Sequence, residues 1–116
     1  MISHIVLFTP RNDLPADRLR LFAQHVLAAC SSIPSVARAV IGKSIAIDPG
    51  YERAMGDTTY LFAAILEFHD QAGLIAYLQH PSHDELGRQF WEVCQSTAII
   101  EVDGRAPNEW TVDELV

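Results

Sequence analysis

An α+β fold with the element order βαββαβ is predicted by three observations. Four short apolar runs, each bounded by proline, glycine or acidic residues, read as strands. Between the first and second runs, and again after the third, apolar residues recur at intervals of three and four, the spacing of helices with one buried side. The strand runs are apolar on both faces, so the sheet must be covered twice. Right-handed β–α–β crossovers then place both helical layers on one face of a four-stranded antiparallel sheet, which is the ferredoxin-like arrangement.

The first strand spans residues 2–9 and stops at Pro10-Arg11-Asn12-Asp13; Ile5 and Leu7 point to one side, and His4, Val6 and Phe8 to the other. A helix follows from Pro15, with Asp13 as its expected cap. Leu19, Phe22, Ala23, Val26, Ala29, Cys30 and Ile33 form its apolar side, and Ser31-Ser32-Ile33-Pro34 ends it. Residues 36–47 form the second strand, where Gly42 is expected to mark a bulge or a close backbone approach. A long polar loop opens at Asp48-Pro49-Gly50 and runs to about Thr58. The third strand covers residues 59–68. Two helices, 70–79 and 82–95, lead to a last strand at 98–102 closed by Asp103-Gly104. Residues 1–104 form the domain, and 105–116 form a tail in which Trp110 either clamps a neighbouring subunit or frays.

Composition narrows the function classes. A chain of 116 residues makes one domain, and 49% hydrophobic against 20% charged residues is rich for that size. A homodimer that buries the helix-free sheet face is therefore expected. The formal net charge is −7 and no stretch concentrates basic residues, which argues against nucleic acid as a partner. The opening run Met1 to Phe8 lacks a basic flank and is too short for a signal peptide or a membrane span, so a soluble cytoplasmic protein is expected. Cys30 and Cys94 have no zinc-type spacing and read as small buried hydrophobes in helices. No metal is expected: neither His80 with His83, nor the loop acids Asp48, Glu52 and Asp57, completes a ligand set.

Chemistry concentrates in Tyr77-Leu78-Gln79-His80-Pro81-Ser82-His83, where a proline-forced break between two helices gathers a phenol and two imidazoles. Proton transfer without a cofactor can be run from such a cluster, because histidine titrates near neutral pH. The plain reading stands beside it: His80 starts a helix ahead of Pro81 at its first position, and Tyr77 packs as a core residue. His25 reads as a surface residue and His69 as a candidate cap for the next helix. Phe90 and Trp91 on the late helix read as core and interface packing.

His4-Ile5-Val6-Leu7-Phe8, Ile33-Pro34, Glu67-Phe68 and the Tyr77-to-His83 segment together resemble the stress-responsive A/B barrel (Dabb) family over residues 1–104. That resemblance implies a ferredoxin-like protomer paired into a dimeric α+β barrel. It also implies relatives that include cofactor-free monooxygenases, decyclases, haem-handling enzymes and a plant polyketide cyclase, and so a cofactor-independent cyclase, lyase or monooxygenase as a rival to simple binding. The cyclase is similar to this chain at His4, Tyr77, His80 and His83. Its likeness implies a Tyr77/His83 pair in which a neutral His83 removes a proton beside a carbonyl and Tyr77 donates to its oxygen, with His4 and His80 orienting. Val6, Phe8, Phe22, Val26, Phe62, Ala64 and Leu66 would line an apolar pocket between helices and sheet for a small apolar or aromatic carbonyl compound. Phe62, Val26 and Cys94 stand where the cyclase carries a histidine, a tyrosine and a tryptophan, so a different or smaller ligand is implied. A stress-associated dimer without ligand, whose histidines only satisfy backbone, is the third reading.

Overall fold

Strand β1 (Ile2–Pro10) lies second from one edge of a single antiparallel sheet of order β2-β3-β1-β4. The computed structural model describes residues 1–47, 50–56 and 59–116, with Glu52 described in its backbone only. Helix α1 (Ala16–Ser32) leads to β2 (Arg38–Lys43), a short helix α2 (Glu52–Met55) and β3 (Phe62–Phe68). Helices α3 (Gln71–Leu78) and α4 (Pro81–Val93) then precede β4 (Cys94–Asp103). The order βαββαβ holds, with α2 inserted in the segment expected to be a loop and the second helical layer split at Pro81. Asp48 and Asp57, two of the acids weighed for a cation, lie outside the described residues, as does the Glu52 side chain. No helix among the described residues is long and apolar enough to cross a membrane.

The core lies between the sheet and α1, α3 and α4. His4, Val6 and Phe8 of β1 face it together with their register partners Leu66, Ala64 and Phe62 of β3. From α1 come Phe22, Val26 and Ala29, and from α4 Leu86, Phe90 and Val93. Burying one such side chain contributes on the order of 1.5–3 kcal/mol, so this layer carries most of the hydrophobic stabilisation. The opposite sheet face is apolar but open in the protomer: Ile65 is 38% and Ile100 is 55% exposed, while Ile5 and Leu7 are half-buried. Both faces of β1 are therefore apolar as expected, and only one is filled from within the chain.

Several local expectations are corrected. Asp13 does not cap α1. Its carboxylate pairs with the Arg11 guanidinium at 2.9 Å, and Pro15 opens the helix with no side-chain cap. Strand β2 stops at Lys43 because its partner β3 begins at Phe62; one more bond, from the Ser44 amide to the Leu61 carbonyl, closes the ladder. Ile45 and Ile47 are left exposed. Gly42 pairs in register with Ala63, and a Cβ there would meet nothing within 4 Å, so it marks neither bulge nor close approach. The irregularity falls instead between Thr9 and Pro10, where proline has no N–H to give to a ladder. β4 starts at Cys94, four residues ahead of the expected 98, because β1 runs on to Pro10 and pairs with it. Cys94 is thus a strand residue, and both thiols are free and only partly buried. Asp70, not His69, caps α3 through the Gly73 amide.

Candidate functional site

The junction of α3 and α4 is held by imidazoles. His80 has extended backbone ahead of Pro81, and its Nδ1 accepts from the Ser82 amide at 3.1 Å, which caps α4. His83, one turn on, meets the Leu78 carbonyl with its Nδ1 at 3.1 Å. That carbonyl belongs to the last turn of α3, where helical acceptors lack intrahelical partners. A carbonyl can only accept, so Nδ1 of His83 carries the hydrogen and Nε2 of the neutral ring is free.

Three rings converge on the inner face of the sheet. Tyr77 of α3 lies 4.8 Å from His83 and 5.5 Å from His4, centroid to centroid, and His4 lies 6.4 Å from His83. Phe68 backs Tyr77 at 5.4 Å. His4 is 4% and Tyr77 3% exposed. The His4 Nδ1 lies 2.7 Å from a carboxylate oxygen of Glu101, its direct cross-strand neighbour on β4. Among the described residues, the Tyr77 hydroxyl forms no hydrogen bond with the protein, and the one fully enclosed polar side-chain atom left without a partner is the Ser35 hydroxyl. The phenol therefore faces the recess that these rings border.

That recess holds about 200 Å³ and is lined by His4, Tyr77 and His83 with Val6, Leu86 and Ile99, and by Trp91 and Glu101 at its rim. A cavity of roughly 150 Å³ takes one benzene, so a single-ring compound matches this space. Burial pushes the Tyr77 phenol well above its ordinary range, and the nearby Cys30 thiol adds to the effect. Burial holds the His83 imidazole below its ordinary value, with His4 facing it as the second cause; the Leu78 carbonyl and Asp84 act the other way. At neutral pH the pair is thus a protonated hydroxyl beside a neutral imidazole, one donor and one acceptor.

The expected pocket residues do not form one cavity. Val6 lines this recess. Phe8, Phe22, Val26 and Phe62 line a second one of about 330 Å³ under α1, together with Leu19, Ile41 and Leu27. Ala64 and Leu66 line neither and sit buried in the core. A wall of Phe8, Phe22 and Phe90 separates the two, with Phe90 5.1 Å from each of the others. Of the four expected catalytic residues, His4, Tyr77 and His83 come together, while His80 does not line the recess and spends its Nδ1 on the cap. Of the two residues expected in core and interface packing, Phe90 is buried, whereas Trp91 is 70% exposed in the protomer, at the rim. Glu101 was missed; its signal was a single acid inside the apolar run Ala98 to Val102. No group of three or more residues that could hold a metal ion occurs among the described residues.

A ferredoxin-like α+β protomer with a phenol and two imidazoles on its helical side places the chain among small α+β-barrel-type proteins. Residues 2–103 match the stress responsive A/B barrel domain, and the chain belongs to that Dabb family; the tail beyond Asp103 lies outside the match. Among curated proteins no significant sequence match was found. A Dabb family protein with a ferredoxin-like fold from Mesorhizobium loti is similar at 23% identity and a TM-score of 0.68, over 90% of this chain and 97% of the other. The hydroxynitrile lyase of Passiflora edulis is similar at 18% identity and a TM-score of 0.69, over 91% and 96%. A dimeric ferredoxin-like protein of unknown function from Thermobifida fusca is similar at 18% identity and a TM-score of 0.65, over 87% and 88%.

Proposed function

We propose that the chain is a homodimeric Dabb protein that binds a small apolar or aromatic carbonyl compound in the recess bordered by His4, Tyr77 and His83. The observation that carries this reading is the free Tyr77 hydroxyl, a donor on a buried ring that opens into a space of single-ring size next to a neutral imidazole. A carbonyl oxygen is the acceptor that such a donor lacks.

Dimerisation through the helix-free sheet faces is supported by their exposed aliphatic residues, Val40, Ile65 and Ile100. The dimeric ferredoxin-like neighbours support it. Light scattering on the eluting protein at micromolar concentration is expected to give twice the protomer mass, and the pair Ile65→Asp with Ile100→Asp to give one. A wild-type monomer would overturn the dimer. The domain of residues 1–104 carries the site, with 105–116 as an appendage braced by the Arg105 guanidinium stacked 3.7 Å from the Trp110 ring. Two unpaired thiols suit the reducing cytoplasm. The formal charge of −7 speaks against a nucleic-acid partner.

Gly87 of α4 lines the recess, and a Cβ added there meets nothing within 4 Å. Gly87→Leu is expected to narrow the recess, since its Cβ starts from open space in a helix that leucine favours. Saturation-transfer NMR with benzaldehyde is expected to detect binding to wild-type protein and none to Gly87→Leu at unchanged melting temperature. Equal signals from both proteins would place the compound elsewhere.

A second reading is favoured by the tautomer of His83. With its Nδ1 hydrogen held by Leu78, the free Nε2 is a base beside the Tyr77 donor, the pair needed for cofactor-free cyclase, lyase or monooxygenase chemistry on a carbonyl compound. The similarity to a hydroxynitrile lyase makes a lyase one form of it. Under this reading His83→Ala and Tyr77→Phe abolish turnover while leaving the melting temperature nearly unchanged. Unfolding of both variants would instead favour a structural dimer without ligand.

A further inference from the structure

Among the side chains that border the recess, Glu101 is the one whose contact is short, charged and absent from the proton-transfer pair. We infer that Glu101 is the positioning residue of the site and sets its ligand class: it fixes His4 with Nε2 free, and its charge reserves the recess for uncharged carbonyl compounds over carboxylates. The selectivity half rests on the reading of the recess as a ligand site; the positioning half does not.

The geometry is specific. His4 and Glu101 are direct partners across the antiparallel β1–β4 pair, so both side chains leave the sheet on the same face. The separation of 2.7 Å is that of a charge-assisted hydrogen bond. A carboxylate can only accept, so the hydrogen sits on Nδ1 of His4, and whenever the ring is neutral its lone pair is on Nε2. With the imidazole almost fully buried, an unpartnered Nδ1–H would be costly, and no other acceptor is bonded to it among the described residues. The groups that face His4 are Tyr77 from α3, His83 from α4, Leu66 from β3 and Glu101 from β4. Glu101 alone can set its tautomer. The result is a recess with two imidazoles in the same tautomer, each fixed by an acceptor outside the ligand space: Leu78 for His83 and Glu101 for His4.

Charge selectivity comes from the same residue. Glu101 is the single carboxylate in the lining, and no lysine or arginine joins it among the described residues. A ligand carboxylate would enter a mostly apolar space beside a like charge with no guanidinium or ammonium to pair it. His83 offers no ready cation, because burial favours its neutral form. An uncharged aldehyde or ketone meets none of these costs and accepts from Tyr77.

The test uses Glu101→Gln and Glu101→Leu in the full chain. Glutamine keeps an acceptor for Nδ1 and loses the charge; leucine loses both. In long-range proton–nitrogen spectra of protein with ¹⁵N-labelled histidine, assigned with His4→Gln, wild-type His4 is expected as the Nδ1–H form, retained in Glu101→Gln and lost in Glu101→Leu. An Nε2–H form in the wild type, or an unaltered His4 signal in Glu101→Leu, overturns the positioning role. Titration with the near-isosteric 4-formylbenzamide and 4-formylbenzoate reads the second half. Wild type is expected to prefer the amide about tenfold, allowing for solvent screening of a half-exposed carboxylate, and Glu101→Gln less than threefold. An equal preference in both proteins overturns the charge role. Binding of neither compound to wild type sinks the ligand reading and the selectivity built on it, and the histidine spectrum still decides the positioning role.

Discussion

The recess beside α3 and α4 and the recess under α1 are cut into the same side of one sheet and share an aromatic wall, yet they differ in kind. The first brings a phenol, two imidazoles and a carboxylate together, and the second is lined by Phe8, Leu19, Phe22, Val26, Phe62 and other apolar residues with no titratable group. The difference traces to backbone. The α3–α4 break leaves the Leu78 carbonyl free to hold His83, and β4 at the sheet edge presents Glu101 to His4 while leaving it half in water. Under α1 the helix runs unbroken from Ala16 to Ser32, so no backbone acceptor is released and polar side chains there would go unpaired. A polar site in so small a core forms where a helix ends against a sheet edge.

The wall between the two spaces is the first place to break this contrast. Phe8 is buried and packs on Phe22, Phe62 and Phe90. Phe8→Ala should cost about 3–5 kcal/mol, since a buried ring is lost and a cavity joins the recesses. Urea unfolding at fixed protein concentration measures it. A loss under about 1 kcal/mol would mean that the wall yields and the two spaces are one.

Much of the fold was legible because it rests on period. Strand β1, the body of β3, helix α1 and the order βαββαβ follow from bounded apolar runs and three-four spacing in the chain itself, although β3 begins at Phe62 and not at 59. The ends of β2 and β4 were not legible, because a partner sets them: β2 stops where β3 begins at Phe62, and β4 reaches back to Cys94 because β1 extends to Pro10. In the site, His4 came only with the family resemblance, while the closeness of Tyr77 and His83 was readable from the Tyr-to-His segment. The split into two recesses was not, since it depends on how Phe8, Phe22 and Phe90 interlock, which spacing leaves undetermined. Glu101 required the β1–β4 register, a pairing between strands almost a full chain apart.

A smaller effect separates the recesses by pH. His83 faces His4 from β1 and Tyr77 from α3, with Asp84 beside it on α4, and its folded value lies below the ordinary 6.5. The unfolded chain then takes up this proton more readily than the folded one as pH falls through 6.5. Stability attributable to His83 is therefore full above that pH and declines below it, until the lowered folded value is passed. The slope is below one proton because the ring is only half-buried. His83→Gln should flatten this part of the pH–stability curve, whereas Val26→Ala in the apolar recess should lower the curve without changing its shape. A slope unchanged in His83→Gln would mean that burial does not act on this ring.

The smallest expected change in stability is also the one that decides between chemistry and packing. The Tyr77 ring is enclosed by Phe68, His4 and His83, so Tyr77→Phe keeps every apolar contact and removes only the hydroxyl. That hydroxyl takes part in none of the side-chain hydrogen bonds at the site among the described residues. Its removal should shift stability by no more than about 1 kcal/mol in either direction, because no intramolecular hydrogen bond is broken and no acceptor is stranded. If the phenol instead served to satisfy buried backbone, the same substitution would leave an acceptor unpaired and cost roughly 1–3 kcal/mol. A near-zero change combined with loss of carbonyl-compound binding assigns the hydroxyl to the ligand. A large loss of stability would return Tyr77 to the core, and with it the main reason to see a site here.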